Sequence, residues 1–339
     1  MRILLVMNPG IPVPPQLYGG IERIVYLLAE EYHRLGHDVT LLAGYGSTCS
    51  GTTIIIDRKP KKPSRLKTYK DTLFVWRYLK DNYHRFDVIH NFGRLIYFLP
   101  VIKKPVYKMM SYQRAVAIAG IKKITSLQPA NLLFTGCSNY CVSTGNVAGN
   151  WHTVYNAINF SDCEINEHVE KNAPLMFLGR LDKVKGVHNA IKVAQLTGNQ
   201  LLIAGNIPHT ADNYQYYKAE IEPLIDGEQI KYVGELDDAG KNLHLRQVKA
   251  LLFPIEWEEP FGIVMIEAMA CGTPVIAFNR GAVPEVIDES TGIIVNTIEQ
   301  MCSAVAQVHR INRRNCRKSA EERFDIRMIA QQYLQLILK

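Results

Sequence analysis

Short apolar runs alternate with amphipathic helical stretches twice along this chain, and that alternation points to a parallel α/β architecture. RILLVMNP, starting at residue 2, is an apolar run closed by Pro and Gly, as a buried parallel strand requires. A loop, GIPVPPQLYGG, leads into residues 21–36, where Ile21, Val25, Leu28 and Tyr32 recur at helical spacing and Gly36 ends the run. DVTLLAG, from residue 38, completes a β-α-β unit, which crosses over right-handedly. Strand-like runs follow at 87–92 and 105–110, with a less clear one at 137–145. After a polar stretch at 161–174 the alternation restarts. PLMFLGRL, a helix from Val187, LLIAG, a charged helix around 214–225, IKYVG, ALLFPI, a helix in GIVMIEAMACG, PVIAF and a helix-rich tail from Ile298 succeed one another. Two doubly wound α/β domains are expected: residues 1–165 and 166–322, with 323–339 a helix packing back toward the first domain. Ligands of such sheets sit off the carboxyl ends of the strands, so the expected site is a cleft between the domains.

Composition supports a globular protein. The chain has 339 residues, 47% hydrophobic and 21% charged, which excludes a disordered, collagenous or charge-dominated coiled-coil chain. No apolar stretch approaches the ~20 residues of a membrane helix, and five apolar residues after Met1-Arg2 are too few for a signal peptide, so a cytoplasmic location is expected. Seven cysteines include no CxxC pair; Cys137 and Cys141 are four apart without a second pair, and the ten histidines form no HxH or HExxH. No metal site is expected. Residues 1–160 carry 20 Lys and Arg against 8 Asp and Glu, a balance of +12, whereas 161–339 carry 19 against 24, a balance of −5. Ten basic and three acidic side chains fall within 57–85. Such a face suits phosphates, an anionic membrane or an acidic substrate, and equally a solvated loop leading into a helix. Phe74, Trp76, Tyr78 and Tyr83 lie among these cations, where they suit peripheral membrane docking. Leu66, Leu73, Val75 and Leu79 fit a core stripe as readily.

The densest chemistry lies at 256–274, EWEEPFGIVMIEAMACGTP. Pro260 suits a helix start, and Gly272 with Pro274 a stop. A helix over 261–271 leaves the amides of Gly262, Ile263 and Val264 without intrahelical partners, a sufficient diphosphate cradle. Glu267 lies in an apolar run and needs a partner if buried; the vicinal hydroxyls of a ribose would satisfy both its oxygens. A solvent-facing Glu267 is the alternative, opposed by the all-round apolar run 263–266. A dehydrogenase is poorly supported, because Gly44-Tyr-Gly46 lacks the third glycine.

Glu259-x7-Glu267 with Pro-Phe-Gly between closely resembles the signature of family 4 retaining glycosyltransferases of the GT-B fold, the group that includes glycogen synthases and mannosyltransferases. Further segments resemble the family in order along the chain: Gly19-Gly20-Ile21-Glu22, Leu35 to Val39, Asp87 to His90, Tyr155 to Ile158 (with Ala157 where Gly is usual), Gly179-Arg180-Leu181 through Lys185-Gly186, and Gly281 with Pro284-Glu285. The resemblance implies a GT-B fold, two Rossmann-like doubly wound domains facing a central cleft. It implies a hexosyltransferase-type enzyme that uses a UDP- or GDP-sugar, retains configuration and needs no cofactor or metal. No Asp-x-Asp motif is present to hold Mg2+, and Arg180 with Lys185 take its place against the leaving diphosphate. By the same resemblance Glu259 contacts donor-sugar hydroxyls, the amides after Phe261 (Gly262, Ile263, Val264) hold the diphosphate, Glu267 takes the ribose, and Gly19 and Gly20 admit the phosphates. His90 is placed near the reacting face of the sugar. Arg94, Lys108 and Arg114 follow strand-like segments and are acceptor-binding candidates in the basic half. The expected acceptor is a saccharide or lipid-linked hydroxyl in surface-glycan, lipopolysaccharide or glycolipid assembly, with peripheral contact at the inner membrane face and no nucleic acid. Two other readings share the fold, a nucleotide-sugar epimerase and a catalytically silent binding or scaffold protein. The complete Arg180, Lys185, Glu259 and Glu267 set opposes the first; Ala157 and Ser111-Tyr112-Gln113, where many relatives carry a His-Gly-type turn, keep the second in view.

Overall fold

The computed structural model describes residues 1–17, 19–57, 64–145 and 148–338. The chain divides into two compact units, Met1–Asn156 with Ile326–Lys339, and Ala157–Asp325.

The first unit holds a seven-stranded parallel sheet of β1 (Arg2–Val6), β2 (Asp38–Ala43), β3 (Thr52–Ile55), β4 (Val88–Asn91), β5 (Tyr107–Tyr112), β6 (Leu132–Gly136) and β7 (Asn150–Thr153). Their order is β3-β2-β1-β4-β5-β6-β7, so the winding reverses between β1 and β4. Its helices are α1 (Gly20–Arg34), α2 (Arg65–Asn82), α3 (Ile118–Thr125) and α4 (Asn139–Gly145). Alternation along the strands sends Ile89 and Met110 to the side where Val75 and Leu79 of α2 close the core. Leu66 and Leu73, by contrast, are 64% and 41% exposed, so the core stripe expected on α2 is split. The strand expected at 137–145 is also corrected: β6 ends at Gly136 and α4 follows. The Ser138 hydroxyl accepts from the amide of Cys141 at 2.8 Å, a local bond that turns the chain into a helix.

The second unit holds a six-stranded parallel sheet of β8 (Leu175–Leu178), β9 (Leu201–Ala204), β10 (Ile230–Gly234), β11 (Ala250–Phe253), β12 (Val275–Phe278) and β13 (Gly292–Val295). Their order, β10-β9-β8-β11-β12-β13, repeats the same winding, with its reversal between β8 and β11. The helices here are α5 (Val187–Thr197), α6 (Ala211–Tyr216), α7 (Asp238–Leu245), α8 (Ile263–Ala270), α9 (Val283–Val286), α10 (Ile298–Gln307) and α11 (Arg313–Phe324). The last helix, α12 (Ile326–Leu338), belongs to the first unit and packs on α1.

The junction lies at 156/157, ahead of the polar stretch where composition places it. Residues 158–163 are tied to the second unit: the Ile158 amide donates to the Phe324 carbonyl at 3.1 Å, and Arg317 donates to Phe160 O and Cys163 O at 2.7 and 2.9 Å. A buried guanidinium, Arg313, donates to the carbonyls of Asn166 (2.5 Å), Val248 (3.0 Å), Arg246 (3.0 Å) and Cys271 (3.4 Å), and to the Thr273 hydroxyl (2.6 Å). With carbonyls in place of a carboxylate, burial pulls its pKa down to about 10.

Candidate functional site

In the second unit the loops after β8 and β11 leave from the reversal point of the winding, where a doubly wound sheet opens a crevice. The first loop carries Arg180 and Lys185, and the second carries Trp257 and Glu259. Gly186 locks the two together. Its φ is +75°, and a side chain there would strike the carbonyl of Pro254, while the Glu256 amide donates to Val184 O at 2.9 Å.

Three ion pairs organise this edge. Arg180 Nη2 lies 2.7 Å from Asp182 Oδ2. Lys185 Nζ donates to Glu259 Oε2 at 2.7 Å and sits 4.9 Å above the Trp257 ring, whose Nε1 donates to the same oxygen at 3.0 Å. Glu267 Oε1 pairs with Lys241 Nζ from α7. Among the described residues, Glu259 and Glu267 each engage one carboxylate oxygen and keep the other without a hydrogen bond. Asp182 Oδ1 is buried and has no hydrogen-bond partner among the described residues. Beside them His188 is held by the Tyr216 hydroxyl at Nδ1 (2.7 Å) and by Glu256 at Nε2 (3.1 Å).

The helix expected over 261–271 begins two residues later, at Ile263, with Gly262 as its capping residue. Met265 N donates to Gly262 O at 3.0 Å, which leaves the amides of Ile263 and Val264 as the orphan donors of the first turn. Phe261 is buried and packs edge-on against Phe324 at 5.7 Å, so it anchors the turn through its side chain. Ile263 and Val264 are half-buried, whereas every residue from Met265 to Ala270 is buried. The helix is thus closed on all sides except at its amino end.

In the first unit Gly19 and Gly20 stand where the β1 loop enters α1. Gly19 has φ +151°, and a Cβ there would lie 2.6 Å from Pro15 Cβ, so the turn excludes a side chain. Burial pushes the Glu22 carboxyl up from its ordinary value, while its own amide, Arg114 and Arg23 pull it down. Arg94 and Arg114 are exposed beyond the carboxyl ends of β4 and β5, and Arg94 Nη1 donates to Thr72 Oγ1 at 3.4 Å.

Two candidates do not join this edge. His90 is 1% exposed and lies on the face of β4 opposite Ile89, 4.8 Å from the Tyr333 ring of α12. Its Nε2 meets Ser111 Oγ at 2.7 Å, Ser111 meets Thr135 at 2.6 Å, and its buried Nδ1 has no partner among the described residues. Burial pulls its pKa down to about 3, so the ring is neutral in ordinary buffers and carries a single ring N–H. Strand alternation turned it under α12, into the packing of the first unit. Lys108 stands at the amino end of β5, fully buried, with its ammonium donating to the carbonyls of Lys104 and Val106, both at 2.7 Å. It holds a turn at the wrong end of the strand for an acceptor.

Asp182, Trp257 and Lys241 were missed by sequence reasoning. The signal for Lys241 was present: in the helix DAGKNLHL it shares a face with Leu245, a charge where the buried stripe calls for an apolar side chain. Among the described residues no group of three or more His, Cys, Asp or Glu side chains has the arrangement of a metal site.

Residues 161–323 match the family described as Glycosyl transferases group 1, and residues 18–107 match Glycosyltransferase Family 4. The chain belongs to the family 4 glycosyltransferases. As such it is an enzyme that transfers a sugar from a nucleotide sugar. This glycosyltransferase is 27% identical over 295 residues, 75% of its length and 79% of the other, to an uncharacterized 41.2 kDa protein of the Klebsiella pneumoniae cps region. Its fold is similar to that of sucrose-phosphate synthase from Thermosynechococcus elongatus, with a TM-score of 0.81 at 21% identity over 99% of this chain and 98% of that one. It is also similar to Anabaena HepE in complex with UDP and glucose, with a TM-score of 0.75 at 16% identity over 100% of both chains. The family 4 enzyme therefore has the GT-B fold.

Proposed function

We propose that this protein is a retaining, metal-independent glycosyltransferase that moves one sugar from a UDP- or GDP-sugar to a hydroxyl of a saccharide or lipid-linked acceptor. One observation carries the reading: two cations, Arg180 and Lys185, and the open first turn of α8 converge at the β8/β11 reversal point. Departure of a nucleoside diphosphate puts negative charge on its terminal phosphate. Arg180 and Lys185 meet that charge, aided by the amides of Ile263 and Val264 following Phe261 and Gly262. Glu259 offers its unengaged oxygen to a sugar hydroxyl, and Glu267 offers its own to the ribose.

Retention follows from departure of the diphosphate on the face that the acceptor enters, with a leaving phosphate oxygen taking the acceptor's proton. No side chain serves as general base in this path, and His90 has no part in it. The enzyme contributes position and charge stabilisation. The acceptor belongs to surface-glycan assembly, a reading supported by the Klebsiella relative from the capsule (cps) region. Arg94 and Arg114 bind it, and the +12 balance of residues 1–160 favours an anionic or membrane-borne molecule.

The acceptor is reached at a membrane surface. No described helix is long and apolar enough to cross a membrane, but α2 exposes Leu66, Tyr69, Leu73 and Phe74 beside Lys70, Arg77 and Lys80. Part of the basic run, residues 58–63, lies outside the described residues. Calorimetric titration with UDP, GDP and ADP, in the presence of chelator, tests the donor site. Binding of UDP or GDP is expected to survive the chelator, and failure of folded protein to bind any of the three would overturn the reading. Co-sedimentation with phosphatidylglycerol vesicles tests the surface: Leu66→Ser with Leu73→Ser should abolish it, and equal binding by the double variant would refute it.

A further inference from the structure

We infer that Lys241 is a positioning residue of the nucleotide end, holding one oxygen of Glu267 so that the other meets a single ribose hydroxyl. The inference rests on the proposed contact between Glu267 and the ribose. Composition and spacing alone suggest that vicinal hydroxyls take both oxygens of Glu267. The structure changes that arithmetic. Lys241 is 9% exposed, and its ammonium pairs with Glu267 Oε1 and with Asp238 Oδ1, the latter at 2.8 Å. Glu267 Oε2 has no hydrogen bond among the described residues.

A carboxyl group on a glutamate ordinarily turns about its last torsion with little resistance. Tied at Oε1 by a cation from a second helix, the group presents Oε2 in one direction. It then accepts from one hydroxyl well and from its neighbour poorly. The ammonium is itself held by two carboxylates, one buried on α8 and one exposed on α7, so it is anchored independently of any ligand. A strut that merely joined α7 to α8 would also show an ion pair. It would not make the two ribose hydroxyls unequal.

The experiment is calorimetry with whichever of UDP and GDP binds, alongside its 2′-deoxy and 3′-deoxy forms. In the wild type one deoxynucleotide should lose about tenfold in affinity while the other stays within about twofold. Lys241→Met should weaken the parent nucleotide and shrink the difference between the deoxy forms to within about threefold, because Glu267 is released. Lys241→Arg covers the case in which the methionine variant does not fold. Its forked guanidinium engages both carboxylate oxygens, so the parent nucleotide should bind no better than the weaker deoxy form. Equal losses for both deoxy forms in the wild type would overturn the positioning role while leaving the ribose contact intact. So would a methionine variant that melts lower but keeps the full difference, or an arginine variant that binds like wild type. If neither deoxy form binds more weakly than the parent, Glu267 does not contact the ribose, and the inference falls with that reading.

Discussion

The carboxyl edges of the two sheets are furnished in opposite ways. At the second, Arg180, Lys185 and Lys241 are each matched by a carboxylate, and Glu259 and Glu267 are largely buried. At the first, Arg94 and Arg114 are exposed, and the carboxylate nearby, Glu22, is buried at the head of α1. Both sheets share one winding order, so topology does not account for the contrast. What differs is the demand on charge. A buried ion is tolerable only with a partner, so the second edge is a set of mutually dependent residues that leave a recognisable spacing. The first edge keeps Arg94 and Arg114 in water, where, among the described residues, Arg114 reaches a carboxylate only through its pull on Glu22.

That contrast breaks most sharply at Arg180. Arg180→Ala should lower kcat by about 10²–10³ while donor KM moves far less, because the charge it meets develops only as the diphosphate departs. Steady-state kinetics with varied donor checks this, and a loss confined to KM would refute the electrostatic role. The two glutamates separate next. Glu267→Ala should weaken free nucleotide by about tenfold, and Glu259→Ala should leave free nucleotide binding unchanged while impairing use of the sugar nucleotide. Calorimetry distinguishes them, and equal effects on free nucleotide would dissolve the division of roles. A smaller effect is expected at the exposed edge. Arg94→Ala and Arg114→Ala should each raise acceptor KM by about threefold to tenfold and leave donor KM alone, in line with solvent-screened cations. Product formation at varied acceptor measures it; a parallel rise in donor KM would place these arginines elsewhere.

The smallest effect on activity belongs to His90. Its folded pKa, about 3, lies below the ordinary histidine value of about 6.5, so the unfolded chain takes up the proton first. The stability it contributes is present above about pH 6.5 and is lost as pH falls toward 3. His90→Gln cannot protonate in this range and should flatten the acid limb of a denaturation series while keeping turnover at neutral pH. An unchanged acid limb would show that His90 does not drive it.

Periodicity made the β-α-β alternation legible: of the residues at helical spacing in α1, Val25, Leu28 and Tyr32 are buried and Ile21 is half-buried. Spacing also set Glu259 in the loop just before α8 and Glu267 within that helix. It misread 137–145, whose Cys, Val and Thr residues suit a strand until Ser138 caps a helix. It could not say which face of β4 His90 would take, since a single polar residue in an apolar strand has no pattern of its own. Nor could it pair Glu267 with Lys241, 26 residues away, or Lys185 with Glu259, 74 residues away. Such partners are chosen by the winding of the sheet, and no local period records them.

Arg313 has a consequence for how the second unit comes apart. One side chain holds the segment at Asn166, the turn at Arg246 and Val248, and the end of α8 at Cys271 and Thr273. None of these can open alone without leaving a buried guanidinium N–H dry, a loss of about 1–3 kcal/mol for each stranded group. They should exchange their amide hydrogens as one cooperative block, and the back of α8 should be among the last places in the second unit to let in solvent.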